Sequence, residues 1–321
     1  NFQMKRKDGS LFYTNHSIVY EEFENWTPAN ADSKYGRVYS VQGALVNSVN
    51  TVSVQLLMES GIKPTKKFAR SLGFKDSLPE VPSLALGSAT GSVLNLAEVY
   101  STFCNRGTRI KPRMLLRIED QNGNVIQSFA PKQSKKQVIP RKVAETITMM
   151  MENVVNRGTG SSIRRFSFPG KLAGKTGTTQ NQADGWFIGY TPNLVTTCWV
   201  GADYPDIHFS KLAYGQGGAT ALPVTGNFLQ NMSNMGLSEY FGSFNYETIN
   251  PALFNCQDQR RKAPGLIEKL FDIKLFEHKN KETKQLKKPG KKKDEQGFFK
   301  RLFNKIKGKD KNKDKKKGQN K

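Results

Sequence analysis

The sequence predicts a mixed α/β domain, an antiparallel sheet flanked by helices, followed by a basic tail. Three observations carry that reading. Apolar residues recur at helical spacing after Ser40, after Asn95 and after Pro140. Between Lys171 and Gly201 the period drops to two, the mark of strands. Helices that precede a run of consecutive strands fit a mixed domain and not alternating βαβ units.

The residues up to about Ser40 hold aromatic side chains (Phe12, Tyr13, Tyr20, Phe23, Trp26) and turn residues (Asp8-Gly9, Pro28, Asn30) without a clear period, as extended pieces and loops do. Ser40 is placed to cap a helix, since its hydroxyl can accept from a first-turn N–H. Ala44, Leu45, Val52, Leu56 and Leu57 supply apolar positions, and Gly61 and Pro64 end the stretch. Asn47-Ser48-Val49-Asn50 marks a joint between two short helices. The next helix is expected to begin at Asn95 as N-cap, with Glu98 completing a capping box and Gly107 at its close. Residues 109–139 alternate around Asn122-Gly123, a hairpin signal. The helix after Pro140 turns Val143, Ile147, Met150 and Val154 inward and ends at Gly158. Residues 172–179, 185–190 and 194–200 then read as three strands.

The chain has 321 residues, a formal charge of +23 and 36% hydrophobic residues. Residues 258–321 hold 24 Lys/Arg and 9 Asp/Glu, a net of +15, against +8 for the first 257. Two regions follow: 1–256 as the folded part, and 257–321 as a tail too polar and charged to build a core. Within that tail Phe298, Phe299, Leu302, Phe303 and Ile306 share one helical face over 297–309. This is the form of an amphipathic helix lying on an anionic membrane surface, where each lysine of 290–321 adds about 1 kcal/mol. A solvated tail fits the same composition. Charge alone does not choose among membrane, acidic polymer and nucleic acid. Three cysteines (Cys104, Cys198, Cys256) lack metal-ligand spacing and read as core thiols. The three histidines (His16, His208, His278) are scattered, so no metal and no cofactor is expected. No leader follows Asn1, and no apolar run reaches the roughly 18 residues of a membrane span.

The chemistry-bearing segments are Ser48-Val49-Asn50, Thr159-Gly160 and Lys175-Thr176-Gly177-Thr178. Taken singly they also fit plain structural roles: Ser48 or Asn50 capping a helix, Lys175 a solvated strand lysine. They stand, however, among other blocks in a fixed order. These are Trp26-Thr27-Pro28-Ala29-Asn30, Ala44-Leu45-Val46-Asn47, Pro82-Ser83-Leu84-Ala85-Leu86-Gly87-Ser88, Leu172-Ala173-Gly174 and Asp184-Gly185-Trp186-Phe187-Ile188-Gly189-Tyr190-Thr191-Pro192. With them the sequence from about Trp26 to Cys256 resembles the transpeptidase domain of class A penicillin-binding proteins.

That resemblance implies a transpeptidase-like fold, incomplete at the amino terminus, and acyl transfer from D-alanyl-D-alanine stem peptides of peptidoglycan. β-Lactam antibiotics would bind the same site. It implies that Ser48 relays a proton to the leaving amine and that Asn50 holds the catalytic lysine and the substrate amide. Lys175 would offer charge to the terminal carboxylate and set the pKa of Ser48. Lys175, Thr176, Gly177 and Thr178 form the substrate strand, and Thr178 adds its hydroxyl and an oxyanion N–H. Gly177, lacking a side chain, lets an extended peptide lie alongside. Thr176 points to the opposite side and packs, while Trp186 and Tyr190 pack beneath the sheet.

The family nucleophile is the serine of Ser-x-x-Lys, upstream of Ser-x-Asn. The one match here, Ser60-Gly61-Ile62-Lys63, comes after Ser48 and reads as coincidence. The expectation is a fragment with no nucleophile of its own, inactive alone. The whole protein is expected to carry a glycosyltransferase domain and an upstream anchor at the periplasmic face of the inner membrane, which puts nucleic acid last among partners. A same-fold serine hydrolase (carboxypeptidase or β-lactamase) and a non-catalytic basic scaffold are the alternatives. The long stretch between Ser48 and Lys175 favours the transpeptidase over the hydrolase.

Overall fold

A computed structural model describes residues 3–5, 11–129, 136–204 and 206–249, with the backbone alone at 3–5. They belong to the first of two units, Asn1–Gln257 and Asp258–Lys321. The tail, its amphipathic stretch at 297–309, Cys256 and His278 lie outside the described residues.

The amino-terminal strands β1 (Gln3–Lys5), β2 (Leu11–Thr14) and β3 (Val38–Ser40) form an antiparallel sheet in that order. Tyr13 drives into a small core with Ala44, Val49 and Val52. Ser40 caps α1 (Val41–Asn47) as its position implies, its hydroxyl accepting from the Gly43 N–H at 3.1 Å. α2 (Asn50–Ser60) follows after the two-residue joint.

Two readings need correction here. Gly61 does end α2, but Pro64 does not end the helical stretch: it sits in the first turn of α3 (Ile62–Leu72). A missing N–H costs nothing there, because first-turn N–H groups have no acceptor within the helix. The cap of α4 (Val93–Cys104) is Ser92, whose hydroxyl accepts from the Asn95 N–H at 3.1 Å. Asn95 is buried inside the helix and donates to the Gly73 carbonyl at 2.9 Å. Glu98 forms no capping box either. It is fully buried and accepts from Lys75 Nζ at 2.7 Å and from Arg109 Nε and Nη2 at 3.0 and 2.7 Å.

Beyond α4 come β4 (Thr108–Arg109), β5 (Arg117–Glu119), β6 (Val125–Ser128) and β7 (Lys136–Gln137). β4 pairs with β7, and β5 with β6 in a hairpin. The hairpin turn is held by Asp120 Oδ1, which accepts from the N–H groups of Asn122 and Asn124 at 2.8 and 2.9 Å. Gly123 takes the left-handed conformation the turn requires, at φ +83°. α5 (Arg141–Arg157) buries Ala144, Thr148, Met151 and Val155 at i, i+4, i+7 and i+11. Of the residues expected inward Met150 and Val154 are buried and Ile147 is half-buried, while Val143, in the first turn, is 43% exposed.

The main sheet consists of β8 (Ala173–Thr178), β9 (Asp184–Tyr190) and β10 (Val195–Gly201), antiparallel in the order β10-β9-β8. α6 (Leu212–Gly215) and α7 (Ala221–Asn234) follow it. Side chains alternate between its faces. Phe187 packs with Leu222 and Leu229 of α7. Ala173 and Tyr190, a cross-strand pair, pack with Met151 of α5 on the other face, where the Tyr190 hydroxyl donates to Thr148 Oγ1 at 2.9 Å. Helices therefore cover both faces and leave β8 at one edge. Cys104 and Cys198 are free thiols, each half-buried. No helix among the described residues is long and apolar enough to cross a membrane, and none of their His, Cys, Asp and Glu side chains cluster as a metal site.

Candidate active site

The joint between α1 and α2 is a Schellman turn. The Val49 N–H bonds to the Ala44 carbonyl at 2.9 Å, and the Ser48 N–H to the Leu45 carbonyl at 3.2 Å. This motif needs a left-handed residue at its centre, usually glycine. Here it is Ser48, at φ 54° and ψ 52°. A side chain in this conformation costs about 1 kcal/mol or more, a price met at functional positions. In return the Ser48 hydroxyl is aimed by the backbone turn itself.

Asn50 is the first residue of α2. Its Nδ2 donates to the Ala29 carbonyl at 2.8 Å. The neighbouring Asn30, nearly buried, accepts at Oδ1 from both the N–H and the hydroxyl of Thr51, at 3.2 and 3.3 Å. Val49, the N-cap, has no side-chain oxygen to offer, so Asn30 serves the helix start from outside. This gives the 26–30 block a physical role that its sequence did not disclose. Its only signal was that it stood out as a block.

Lys175 lies on β8 opposite Ile188, on the face that carries α5. Its Nζ donates to Ser48 Oγ at 2.9 Å and to the Thr176 carbonyl at 2.9 Å. Two residues 127 positions apart are thus joined directly. Among the described residues Lys175 has no carboxylate partner, and burial pulls its pKa down from 10.5 to about 8. A lysine so placed is a cation with no anion, beside a hydroxyl that can pass a proton.

Thr176 and Thr178 alternate to the other face. Thr176 does not simply pack: its hydroxyl is half-buried and lies 2.7 Å from the hydroxyl of Thr159. The Thr178 hydroxyl accepts from the Gly217 N–H at 3.1 Å, which leaves its own proton free to donate outward. Gly217 is itself a close-approach residue, since a Cβ there would lie 2.3 Å from the Trp186 carbonyl oxygen and 2.4 Å from that of Gly177. Gly177 is constrained similarly: a Cβ would stand 3.1 Å from Trp186 Cβ across the strand pair. Trp186 is half-buried against Trp199, with ring centroids 6.2 Å apart, whereas Tyr190 is fully buried.

The end of α5 ties these parts together. Its cap Gly158 leads into Thr159, whose N–H donates to the Val46 carbonyl of α1 at 3.2 Å. A Cβ on Gly158 would meet that same oxygen at 2.3 Å. Thr159 stands among the chemistry-bearing segments and Val46 in a family block, without a role for either, whereas Gly217 carries no sequence signal. Ser60 and Lys63 flank Gly61 at the far end of α2, about 15 Å along the helix from Asn50.

Among the described residues the arrangement combines a cation without a carboxylate partner, a backbone-fixed hydroxyl and a strand with one neighbour. The model of the penicillin binding protein transpeptidase domain family matches residues 6–229. Penicillin-binding protein 1A of Neisseria meningitidis is 34% identical over 209 residues, 64% of this chain and 26% of that protein. Penicillin-binding protein 1A of Aquifex aeolicus is 35% identical over 220 residues, 68% of this chain and 29% of that protein. The chain thus spans little more than a quarter of the length of these relatives. The crystal structure of penicillin-binding protein 1A from Haemophilus influenzae superimposes with a TM-score of 0.64 at 23% identity, covering 74% of this chain and 40% of that one. PonA1 of Mycobacterium tuberculosis in complex with penicillin V superimposes with a TM-score of 0.58 at 22% identity, over 74% of this chain and 65% of that one. With the family model matching more than half of its residues, this chain belongs to the penicillin-binding protein transpeptidase domain family.

Proposed function

We propose that these residues form the greater part of a peptidoglycan D,D-transpeptidase site, acting on stem peptides that end in D-alanyl-D-alanine and open to β-lactams. The observation that carries the reading is the 2.9 Å contact between Lys175 Nζ and Ser48 Oγ beside the exposed edge of β8. In the first step a serine oxygen attacks the penultimate D-alanine carbonyl. The bond to the terminal D-alanine breaks, and its nitrogen leaves with a proton delivered through the Ser48 hydroxyl. That proton is the one the attacking serine gives up; Lys175 stays charged, steadies the Ser48 oxygen and offers its charge to the terminal carboxylate. In the second step an acceptor amine attacks the ester, forms the cross-link and restores the serine.

Asn50, held by Ala29, stands at the helix start where it can meet the substrate's amide. Gly177 and Thr178 line the strand against which an extended peptide adds. The Thr178 N–H is assigned to the developing oxyanion. In this reading the attacking serine is not among residues 1–321, because their one Ser-x-x-Lys sits at the wrong end of α2. The location is extracytoplasmic, with the site facing the cell wall and the chain anchored through another segment. The basic residues 290–321 would favour an anionic membrane surface over nucleic acid.

The test is labelling with a fluorescent penicillin in the full-length protein that carries this domain. A saturable, serine-linked adduct is expected, lost in Lys175→Met. A full-length protein that takes no label, or one that labels equally with Met at 175, would overturn the reading.

A further inference from the structure

The Thr159 hydroxyl has no part in the reaction as written, yet it lies 2.7 Å from that of Thr176, at the surface of the site. Thr159 is also fixed at its backbone, where its N–H bonds to the Val46 carbonyl of the helix that ends in Ser48. Two hydroxyls at this distance share one proton between them, and the second proton must point elsewhere. Whichever threonine accepts is then set as a donor to a third group, and the pairing strengthens that donation. Thr178, two residues along the strand, is set as a donor in the same manner by the Gly217 N–H. With Thr159 donating, Thr176 keeps a proton for an outside acceptor, as Thr178 does, on the strand that also carries Lys175, a cation without a carboxylate partner among the described residues.

We propose that Thr159 is a positioning residue for carboxylate recognition: through Thr176 it holds a hydroxyl ready to donate to the terminal carboxylate of the stem peptide or of a β-lactam. The proposal rests on the transpeptidase reading above. It differs from a packing role in one respect. Thr159 should matter only for ligands that carry the carboxylate.

The experiment measures acylation rates of the full-length protein with a penicillin and with its carboxylate methyl ester. Thr159→Val, which keeps the shape and removes the hydroxyl, should slow acylation by the free acid about tenfold, the loss of one hydrogen bond to a charged group. Thr159→Ser should restore the rate to within about twofold. Thr176→Val combined with Thr159→Val should be no slower than Thr176→Val alone, because the two act as one unit. The ester should react slowly in every case and be indifferent to Thr159→Val. An equal loss for acid and ester, or no loss for the acid, would overturn the proposal while leaving the transpeptidase reading intact. Absence of any acylation in the unmutated protein would instead sink that reading, and this proposal with it.

Discussion

Asn30 accepts two hydrogen bonds from Thr51 at a single oxygen, one from its N–H and one from its hydroxyl, and so caps α2 from a loop outside the helix. Asn30→Ala should therefore cost about 1–2 kcal/mol, as the loss of a good N-cap does. Asn30→Asp keeps the accepting oxygen and should recover most of that. Urea unfolding of the two variants checks it.

Ser48→Gly separates fold from chemistry. Glycine adopts the left-handed turn without strain, so the variant should gain roughly 1 kcal/mol in stability while its acylation falls by about 10²- to 10⁴-fold. Thermal unfolding together with penicillin labelling of the full-length protein reads both. A stable variant with undiminished labelling would remove Ser48 from the relay.

The sign of the Lys175 shift sets a pH dependence. Burial lowers its pKa to about 8 from 10.5, so the folded protein releases this proton before the unfolded chain does. The lysine's contribution to stability therefore rises between pH 8 and 10.5, while its hold on a carboxylate falls as the pH passes through about 8. Acylation should show an alkaline limb centred near pH 8. Lys175→Met should lack both effects, which rate–pH profiles and denaturation at pH 7.5 and 10 would reveal.

Glu98 is buried between Lys75 and Arg109. Burial alone would raise its pKa, but hydrogen bonds from the two cations outweigh it and hold the carboxyl below the usual value. Its contribution is present above the unfolded-state pKa and is lost as the solution is acidified through the folded one. Arg109→Met leaves a buried carboxylate half-compensated and should cost about 3–5 kcal/mol near neutral pH. Denaturant titrations at pH 7 and pH 4 should show that cost shrinking in acid.

Gly158→Ala drives a methyl group into the Val46 carbonyl, 2.3 Å away. It should destabilise by about 1–3 kcal/mol and also slow acylation, since Val46 and Ser48 share α1 and its turn. A stability loss with no change in acylation rate would show that the α5–α1 contact does not set the site.

Much of the site was legible because its parts are local. The Ser40 cap, the 47–50 joint and the three alternating strands are each written within a few residues. What failed depended on partners far along the chain. Asn95 and Glu98 have the spacing of a capping box, but Lys75, Arg109 and Gly73 claim them first. Pro64 looks like a terminator until Gly61 is seen to start a new helix around it. The bond from Asn50 Nδ2 to the Ala29 carbonyl, 21 residues back, has no local signal either. Val46 and Gly217 act through a carbonyl and an N–H that no side-chain pattern encodes.

Among the described strands β8 has a single neighbour, β9, and so its outer backbone row has no strand partner. A border open to one extended guest is open in principle to the same border of a second molecule, the usual route to unwanted self-association. Here the side chains on that strand alternate between a half-buried cation and two hydroxyls, with a bare glycine between. Two such borders set against each other would bring like charges together with no anion to share. The features that ready the strand for a carboxylate-ended peptide are thus the ones that turn its own kind away.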